Sequence, residues 1–515
     1  MSLEFSFGCS VVTGLEKITV EELNQNLNLT SQIDSRRGKV FFKLSSLANV
    51  HELTKLRSVE HVFSVVHTRE SEDVYENTEL AEKFFMRLPD RIDWTEGLKS
   101  WGAYYDKSGF DVDKLKQKFV LPDDYKPLFT NGRKRKITGV PAFRVTASRT
   151  GEREGASPTN GAQVSNDESK KHSFTSDQVA KWFGAAVNNK FGWQPNMKNF
   201  DMEIIIYVND SRILVGLLLT HEALHRRNIS AFGHTTLNST IAFGLGRMCN
   251  LKTGDILIDP MCGSGAIPIE CCAYRKSDIF GISSEISHNP AEKARTNLEK
   301  YPELVGLKRG LSMDVARFDA TFLPLKTASV DVVITDLPFG LRVGSKKSNE
   351  ELYPKVLMEA ARIVKPASGR GAFLTQDKRN FIKAITHCKG YWYVANNPHI
   401  NMGGMTAAIF VLTRTKKQFL QNDFKNLEAE VKEHHVASSV GSNGYEADIA
   451  SSCITVESSK DNNSQSEEVS SSAGASLVSG EDTVFTAVDE EERKKQNLSF
   501  VLDSTSQESV ESSYG

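Results

Sequence analysis

Apolar and polar positions in the front half of the chain follow two short patterns. Segments 3–67 and 141–225 each combine alternating apolar residues, which predict strands, with apolar residues at helical spacing. We therefore expect two small α+β units, and in the second a strand hairpin that turns at residues 209–211. Residues 70–140 show neither period clearly, so irregular structure is predicted between the two units.

From about residue 235 the pattern changes to strand, helix, strand, helix. Strands are predicted for six apolar segments, DILIDP, SDIFGISSE, SVDVVITD, GRGAFLTQD, YWYVA and TAAIFVLTRT. Such alternation predicts a mostly parallel, doubly wound α/β sheet. The last two segments are joined by NNPHINMGGM, which favours an antiparallel end to the sheet.

Composition adds a boundary near the end of this pattern. Beyond residue 436 the chain is rich in Ser, Glu, Asn and Asp and poor in large apolar side chains, which predicts disorder. The net charge of −2 alone predicts no polyanionic partner, although the segment NGRKRKITG is basic. We expect four parts: an amino-terminal region with an irregular basic linker (1–140), a second α+β domain (141–228), an α/β domain (229–415) and a mostly disordered tail (416–515).

Cysteine usage and hydropathy restrict where the protein works. The seven cysteines form no C-x-x-C pair, and no four have the spacing of zinc ligands, so we expect a reducing compartment and no metal site. The first residues lack the regions of a signal peptide, and no apolar run is long enough to cross a bilayer. These features predict a cytoplasmic or nuclear protein without membrane association.

Acidic residues and glycines stand near the ends of the predicted strands, where ligands bind in open α/β sheets. Asp259 closes the first strand and precedes Gly263 and Gly265, Glu285 closes the second strand, and Asp319 precedes VDVVITD. A single Gly-x-Gly is weak evidence, and the chain lacks both the third glycine of a dinucleotide fingerprint and a P-loop lysine. Acids in this pattern suit a ligand with hydroxyl groups, amines and a cationic centre, such as S-adenosyl-L-methionine. Each acid alone is better explained as a helix cap or a solvated turn.

The strand VDVVITD leads into Asp336, Leu337, Pro338 and Phe339. This sequence resembles the (D/N)-P-P-(Y/F) motif of methyltransferases that act on exocyclic or amide nitrogens. The Asp336 side chain and the Leu337 carbonyl would accept hydrogen bonds from the target NH2 group, Pro338 would hold Leu337 extended, and the Phe339 ring would stack on the base. Leucine replaces the first proline of the motif, which removes rigidity but no hydrogen-bonding group. Without the upstream acids and glycines, a strand-end turn with a buried phenylalanine would explain these residues equally well.

Longer segments resemble one protein family. FRVTASR, FTSDQVAKWFGAAV and the following hairpin resemble a THUMP RNA-binding domain, and residues 3–67 resemble the ferredoxin-like region that accompanies it. LHRRNISAFGHTTLNSTIAFGL, DPMCGSGAIPIE, VDVVITDLPFGLRVGSKK and NMGGMTAAIFVLTRT resemble the eukaryotic THUMP-domain tRNA guanine-N2-methyltransferases, in particular those acting at position 6 of the acceptor stem. The resemblance implies a Rossmann-like class I methyltransferase domain preceded by α+β THUMP and ferredoxin-like domains.

The same resemblance implies roles for residues and partners. Asp259, Gly263 and Gly265 would line the methionine end of S-adenosyl-L-methionine, Glu285 would hold its ribose, and Asp319 would reach its adenine amine. The Asp-Leu-Pro-Phe motif would hold guanine N2. The implied partners are tRNA, through its 3′ end and acceptor stem, and a small zinc-binding activator subunit. That subunit forms a heterodimer by covering an exposed apolar edge of the methyltransferase domain.

Basic side chains indicate where RNA would lie. The candidates for phosphate contacts are Arg144, Arg149, Lys181, Arg226, Arg227, Arg342, Lys346 and Lys347. The last three flank the Asp-Leu-Pro-Phe motif and are the best placed. A run of charged residues more often forms a solvent-exposed surface that binds no ligand, so RNA contact is a hypothesis for each of them.

Two alternative functions remain open at this level. The first is the same chemistry on another target, such as adenine N6 in RNA or a protein glutamine, although the THUMP-like half argues against a protein target. The second is an RNA-binding protein with a catalytically silent methyltransferase fold. A catalytically silent fold is disfavoured because the acids expected at an active site are present, namely Asp259, Glu285, Asp319 and Asp336.

Overall fold

The computed structural model describes residues 4–27, 29, 33–70, 77–105, 141–150, 172–209, 212–233, 235–340, 344–388 and 390–427. Two eight-stranded sheets organise these residues. Three sequence predictions lie outside the described residues: the basic segment 131–139, the loop at 151–171 and the disordered tail from residue 436.

The first sheet is shared by the two predicted α+β segments. Its elements are β1 (Phe5–Val11), α1 (Glu16–Leu27), β2 (Asp34–Arg36), β3 (Lys39–Leu44), β4 (Val59–Glu70), α2 (Thr78–Arg91), α3 (Thr95–Tyr104), β5 (Ala142–Thr150), α4 (Ser176–Phe191), β6 (Gln194–Pro195), β7 (Met202–Asn209) and β8 (Arg212–Leu218). The strand order is β2-β3-β1-β4-β8-β7-β5-β6. Antiparallel pairing of β4 with β8 joins the amino-terminal strands to the THUMP-like strands.

Local sequence explains several of these elements as predicted. Thr175 caps α4 in a capping box with Gln178, and Gly192 ends the helix in a left-handed conformation. The predicted hairpin is formed by β7 and β8, with residues 210–211 of its turn outside the described residues. The segment SLANVHELTKLRS before β4 has helical spacing in the sequence, but it forms only a short 3₁₀ helix, Val50–Lys55.

Two helices, α2 and α3, occupy residues 78–104, where the prediction of irregular structure was wrong. Pro89 near the end of α2 and Gly97 within α3 lower the helix propensity of this segment, although Ala81, Phe85 and Leu88 recur on one face of α2. Packing compensates for this low propensity, since Phe85 and Trp101 are buried in the core of the first sheet.

The second sheet contains the predicted alternation of strands and helices. Its elements are α5 (Ser239–Met248), β9 (Ile256–Asp259), α6 (Ala266–Tyr274), β10 (Phe280–Ser284), α7 (His288–Val305), β11 (Met313–Ala316), β12 (Val332–Asp336), α8 (Lys346–Ile363), β13 (Arg370–Thr375), α9 (Lys378–His387), β14 (Trp392–Asn396), β15 (His399–Met402) and β16 (Met405–Arg414). The strand order is β11-β10-β9-β12-β13-β16-β14, and β15 pairs with β16.

This topology confirms the predicted fold class. The first five strands in this order, β11, β10, β9, β12 and β13, run parallel to one another. β16 is antiparallel to both β13 and β14. All six predicted strands are present, and the antiparallel end of the sheet is confirmed. The short strands β11 and β15 were not among the predicted ones. Because the parallel strands share one direction, their carboxyl ends lie along one edge, and the candidate residues gather there.

The front of the chain packs directly against the second half. Val12, Leu15 and Ile18 share a buried cluster with apolar residues of α5, α6 and the second sheet. Beside this cluster, the Arg57 guanidinium lies 2.8 Å from the buried Glu270 carboxylate on α6. Within the part of the chain that the structure describes, no helix is both long and apolar enough to span a membrane.

Candidate active site

The carboxyl end of β9 leads into an open turn lined by glycines. Asp259 is buried at the end of the strand, where its Oδ1 accepts a hydrogen bond from the Met261 nitrogen at 3.1 Å. Gly263 and Gly265 have φ angles of +55° and +82°, which strain most other residues. No atom lies within 4 Å of the place that a Cβ at Gly263 would take, so a ligand can approach the backbone there.

Glu285 follows β10 directly and lies beside the glycine turn. Its Oε2 accepts a hydrogen bond from the Gly263 nitrogen at 3.1 Å, and its Oε1 accepts one from the Ser287 nitrogen at 3.0 Å. On the neighbouring strand, Asp259 pairs in register with Ser283. The structure therefore brings Asp259, Gly263 and Glu285 together at one edge of the sheet.

Asp319 lies in the exposed loop that follows β11, the strand next to β10. Its Oδ1 accepts hydrogen bonds from the backbone nitrogen and the hydroxyl of Thr321, both at 2.8 Å. Its Oδ2 has no hydrogen-bond partner among the described residues, so one carboxylate oxygen remains for a ligand.

At the end of β12, two adjacent residues each present an oxygen that accepts no hydrogen bond from a described residue. Asp336 Oδ1 is buried and has no hydrogen-bond partner in the described part of the chain. The Leu337 nitrogen donates to the Leu374 carbonyl at 2.9 Å, which fixes Leu337 against β13, but its own carbonyl accepts no hydrogen bond from a described residue. Buried polar groups are normally paired, so this pair of acceptors indicates a place for a donor ligand.

The buried carboxyl groups at this edge have perturbed pKa values. Burial raises the pKa of Asp259 to about 7. Burial, together with the nearby Asp259 carboxyl, raises the pKa of Asp336 well above its ordinary value. The neighbouring Glu285 carboxylate adds to the rise in the pKa of Asp259. A desolvated carboxyl group beside another acid favours a neighbouring cation. Buried carboxyl groups with raised pKa values are typical of functional sites.

The turn after Asp336 is held against α8. The Phe339 ring is half-buried and packs on the core of the second sheet. Gly340 has a φ of +73°, and a Cβ there would lie 2.7 Å from a backbone nitrogen of α8, so glycine is required. The Pro338 carbonyl accepts hydrogen bonds from Asn349 and Tyr353. Sequence reasoning missed these two residues, because an Asn and a Tyr four positions apart on a helix are too common to signal a function.

Two of the predicted RNA-binding arginines lie on β5 and contact aromatic rings. Arg144 Nη2 lies 2.7 Å from Glu203 Oε2, and its guanidinium lies 4.1 Å from the centre of the Phe200 ring. We assign Arg144 to the stability of the first sheet, since its charge is already paired. Arg149 lies 5.7 Å from the centre of the Phe174 ring and makes no ion pair among the described residues, so it stays a candidate.

The predicted RNA-binding residues at the linker differ in their surroundings. Arg227 donates to the Leu56 carbonyl at 2.6 Å and to the Ser239 hydroxyl at 3.2 Å, and burial lowers its pKa. These bonds tie the front of the chain to α5, so we assign Arg227 to the fold as well. Arg226 and Lys181 are exposed and remain available to a polyanion.

Basic side chains surround the first turns of α8 and α9, next to the Asp-Leu-Pro-Phe motif. Lys346 and Lys347 are exposed at the start of α8, and Arg342 lies outside the described residues. A side chain of α9 donates to the Lys346 carbonyl at 2.8 Å, which brings Lys378 and Arg379 close to the same place. None of the four described cations makes an ion pair with another described residue. Sequence reasoning missed Lys378 and Arg379, since it did not foresee which helix starts would be neighbours.

These features fit S-adenosyl-L-methionine. The glycine turn admits a ligand to the backbone, Glu285 presents a carboxylate suited to ribose hydroxyls, and the buried Asp259 favours a cation. When bound, this cofactor supplies an electrophilic methyl group on a positively charged sulfur. The sheet order with its antiparallel β16, together with a site at the carboxyl ends of β9, β10 and β12, defines a class I S-adenosylmethionine-dependent methyltransferase.

Comparisons with known proteins narrow this class. The model of the UPF0020 (RMKL-like) methyltransferase domain matches residues 226–408. The tRNA (guanine(6)-N(2))-methyltransferase THUMP3 of Homo sapiens is 35% identical over 459 residues, which cover 81% of this chain and 89% of that protein. The chain belongs to the family of these THUMP-domain tRNA guanine-N2-methyltransferases.

Two further comparisons concern substrate range and fold. The U6 snRNA (guanine-N(2))-methyltransferase THUMPD2 of Mus musculus is 24% identical over 430 residues, 75% of this chain and 76% of that protein. The crystal structure of TrmN from Thermus thermophilus covers 80% of this chain and 99% of its own with a TM-score of 0.58 and 20% identity. The first shows that relatives have different RNA targets, and the second supports the fold.

Proposed function

We propose that this protein is the catalytic subunit of a tRNA methyltransferase that forms N2-methylguanosine at guanosine 6 of the acceptor stem. The observation that carries the proposal is the pair of unpartnered acceptors, Asp336 Oδ1 and the Leu337 carbonyl oxygen. The exocyclic amine of guanine has two N–H donors in one plane, so it satisfies both acceptors at once. Adenine N6 has the same two donors, and the choice of guanine follows from the activity named for the human relative.

Holding the amine in place accounts for the main contribution of the protein to the reaction. With both N–H groups bound by Asp336 and Leu337, N2 would be oriented for attack on the methyl group that S-adenosylmethionine supplies, whose bond to sulfur would break with its electron pair left on sulfur. N2 must then lose a proton. Asp336 Oδ1 is placed to accept it, and its raised pKa makes it a stronger base than an exposed carboxylate. The half-buried Phe339 ring would offer a face to the base.

For the cofactor, we assign Asp259, Gly263 and Gly265 to the methionine end, Glu285 to the ribose and Asp319 to the adenine amine. Support comes from the open glycine turn, from the hydrogen bond between the Gly263 nitrogen and Glu285, and from the unpartnered oxygen of Asp319. The three acids follow neighbouring strands, so one elongated ligand can reach all of them.

For the RNA, we assign the 3′ end of tRNA to the THUMP-like half and the target nucleotide to the rim of the active site. Lys181 and Arg226 are exposed cations on or near the first sheet. Lys346 and Lys347 are exposed cations beside the Asp-Leu-Pro-Phe motif, where they can contact phosphates that flank the flipped guanosine.

A small zinc-binding activator subunit completes the proposed enzyme by covering the edge of the second sheet at β11. This strand has one unpaired edge. The elements beside it expose large apolar side chains, namely Ile286 (58%), Leu304 (51%), Leu307 (55%) and Phe322 (79%). Exposed apolar surface beside an open strand edge is a liability for a protein alone and a favourable surface for a partner.

The activator surface can be tested by co-purification of both subunits. We expect Leu307→Asp combined with Phe322→Asp to abolish co-purification, because two charges would be buried in the interface. Ile382→Asp is the matched control, since Ile382 is 53% exposed on α9 at another face. Equal recovery of the activator with all variants would contradict this location.

The main test is nucleoside mass spectrometry of tRNA incubated with the purified protein, the activator subunit and S-adenosylmethionine. New N2-methylguanosine, placed at position 6 by digestion fragments, is the expected result. A parallel reaction with U6 snRNA decides between the two substrates named for the relatives. A different methylated nucleoside would leave the fold and cofactor in place but overturn the guanine assignment.

A further inference from the structure

The turn that carries the proposed amine acceptors is anchored from α8 by two buried side chains. Asn349 Nδ2 donates to the Pro338 carbonyl at 2.9 Å, and the Tyr353 hydroxyl donates to the same oxygen at 2.6 Å. Both side chains are fully buried. They lie four residues apart, so they project from one face of the helix toward the motif.

The direction of each hydrogen bond in this group follows from its chemistry. A proline carbonyl can only accept, so Tyr353 must donate its single hydroxyl proton to Pro338. The Thr375 hydroxyl, 2.9 Å away, must therefore donate to Tyr353, and it accepts in turn from the Asp377 nitrogen at 2.9 Å. Asn349 Nδ2 also lies 3.2 Å from Asp377 Oδ2. Its third acceptor is the Tyr353 hydroxyl oxygen at 3.1 Å, so the two N–H groups of Asn349 serve three acceptors. The hydroxyl protons of Tyr353 and Thr375 are the part of this buried chain whose direction is fixed.

Fixing this carbonyl fixes the neighbouring peptide group. The described peptide bonds are all trans, so the Phe339 N–H points away from α8 while the Pro338 carbonyl points toward it. The planes of the peptides before and after Pro338 set the direction of the Leu337 carbonyl and of the Phe339 ring. An error of about 1 Å in such groups can cost about 100-fold in rate.

Helix formation does not require these two polar groups. The start of α8 is already satisfied by a capping box between Ser345 and Ser348. The Tyr353 ring packs against Phe381 with ring centres 5.9 Å apart, a contact that a phenylalanine would keep. The amide of Asn349 and the hydroxyl of Tyr353 therefore act on the turn rather than on the helix.

We infer that Asn349 and Tyr353 are positioning residues of the methyl transfer, which hold the turn so that Asp336 and Leu337 receive the substrate amine. This inference rests on the proposed function. The two side chains do not touch substrate or cofactor themselves, since they lie on the far side of the Pro338 peptide.

The test compares Tyr353→Phe with Tyr391→Phe in the full-length protein together with its activator. Each substitution removes one tyrosine hydroxyl with a partner at 2.6 Å, which is the Pro338 carbonyl for Tyr353 and the Asp423 carboxylate for Tyr391. We expect Tyr353→Phe to lower kcat about tenfold, the effect of removing one hydrogen bond from the transition state. The Kd for S-adenosylmethionine and the KM for RNA should stay within about twofold. Tyr391→Phe should keep the wild-type kcat.

A second variant keeps the inference testable if Tyr353→Phe folds poorly. Asn349→Leu has similar volume but no donor, and it should also lower kcat without weakening cofactor binding. A wild-type enzyme that forms N2-methylguanosine, together with fully active Tyr353→Phe and Asn349→Leu variants, would overturn the positioning role and leave the proposed function intact. Loss of kcat in step with cofactor affinity would overturn it too, because the residues would then support the cofactor site.

Discussion

Asp331 directly precedes β12, and Asp336 is its last residue. Substitutions of these two aspartates form a matched pair that tests the catalytic role of Asp336. Asp336→Ala removes an acceptor of the substrate amine, so we expect kcat to fall about 100-fold or more while the Kd for S-adenosylmethionine changes little. Asp331 accepts hydrogen bonds from the Ile256 nitrogen at 3.0 Å and from Lys365 at 2.7 Å, at the opposite end of the strand.

Asp331→Ala should therefore lower stability and keep kcat. Steady-state kinetics and isothermal titration with the cofactor separate the two effects. Appreciable turnover by Asp336→Ala would remove Asp336 from the mechanism.

The pKa of Asp259 gives the cofactor site a pH dependence. Burial raises this pKa from an ordinary value of 3.8 to about 7, so the group is protonated in the free protein below pH 7. A cationic ligand favours the ionised form, so binding must release this proton at low pH. We expect affinity for S-adenosylmethionine to rise with pH up to about 7, by at most tenfold per pH unit for one proton, and to level off above that pH.

Isothermal titration across this range measures the dependence of affinity on pH. In Asp259→Asn the rise should flatten, because no proton is left to release at this position. An unchanged slope in that variant would assign the dependence to another group.

At the scale of secondary-structure elements, a helix or strand could be predicted where its own residues carry a clear pattern. The strands β9, β10 and β12 were predictable because each is a short apolar run that ends in an acid or a glycine turn. β11 was missed because its sequence, MDVA, is only four residues long and is interrupted by Asp314, and it pairs with β10. The arrangement of Asn349 and Tyr353 around Pro338 was equally invisible, since it depends on how α8 packs against a turn.

The starts of α8 and α9 should contribute phosphate contacts to RNA binding. Lys346→Ala combined with Lys347→Ala should weaken RNA binding and reduce the slope of log Kd against log salt by about 0.7–0.9 for each phosphate that is no longer neutralised. Lys383→Ala on α9 is the matched control, because Lys383 is already paired with Glu350 at 2.8 Å. Filter binding or fluorescence anisotropy at several salt concentrations gives the slope. Identical slopes for the double variant and the wild type would show that these lysines only face solvent.

At the scale of the whole molecule, the two α+β segments proved to share one sheet. The register of β4 against β8 pairs Phe63 with Leu218, residues that are far apart in the chain. Each strand satisfies the alternation rule on its own, so the sequence could not indicate which strands would be neighbours. The sequence also could not indicate the surroundings of Arg227, which was predicted to contact RNA. Its hydrogen bonds to Leu56 and Ser239 form only because the front of the chain packs against α5.

The contact between the front and the second half contains a buried ion pair whose removal should be costly. Glu270 is fully buried and is held by Arg57 at 2.8 Å and by Asn228. Arg57→Leu would leave this carboxylate without its cation, and we expect the free energy of unfolding to fall by about 3 kcal/mol. Replacing both partners by leucine removes the unpaired charge, so the double variant should recover most of this stability.

Urea unfolding of the two single variants and the double variant gives the coupling between Arg57 and Glu270. The pair joins α6 to the front of the chain, to which we assign the 3′ end of tRNA, so Arg57→Leu should also raise the KM for tRNA more than the Kd for S-adenosylmethionine. Additive decreases in stability would mean that the two charges do not depend on each other. An unchanged KM for tRNA would mean that the apolar cluster of Val12, Leu15 and Ile18 and the hydrogen bonds of Arg227 hold the junction without this ion pair.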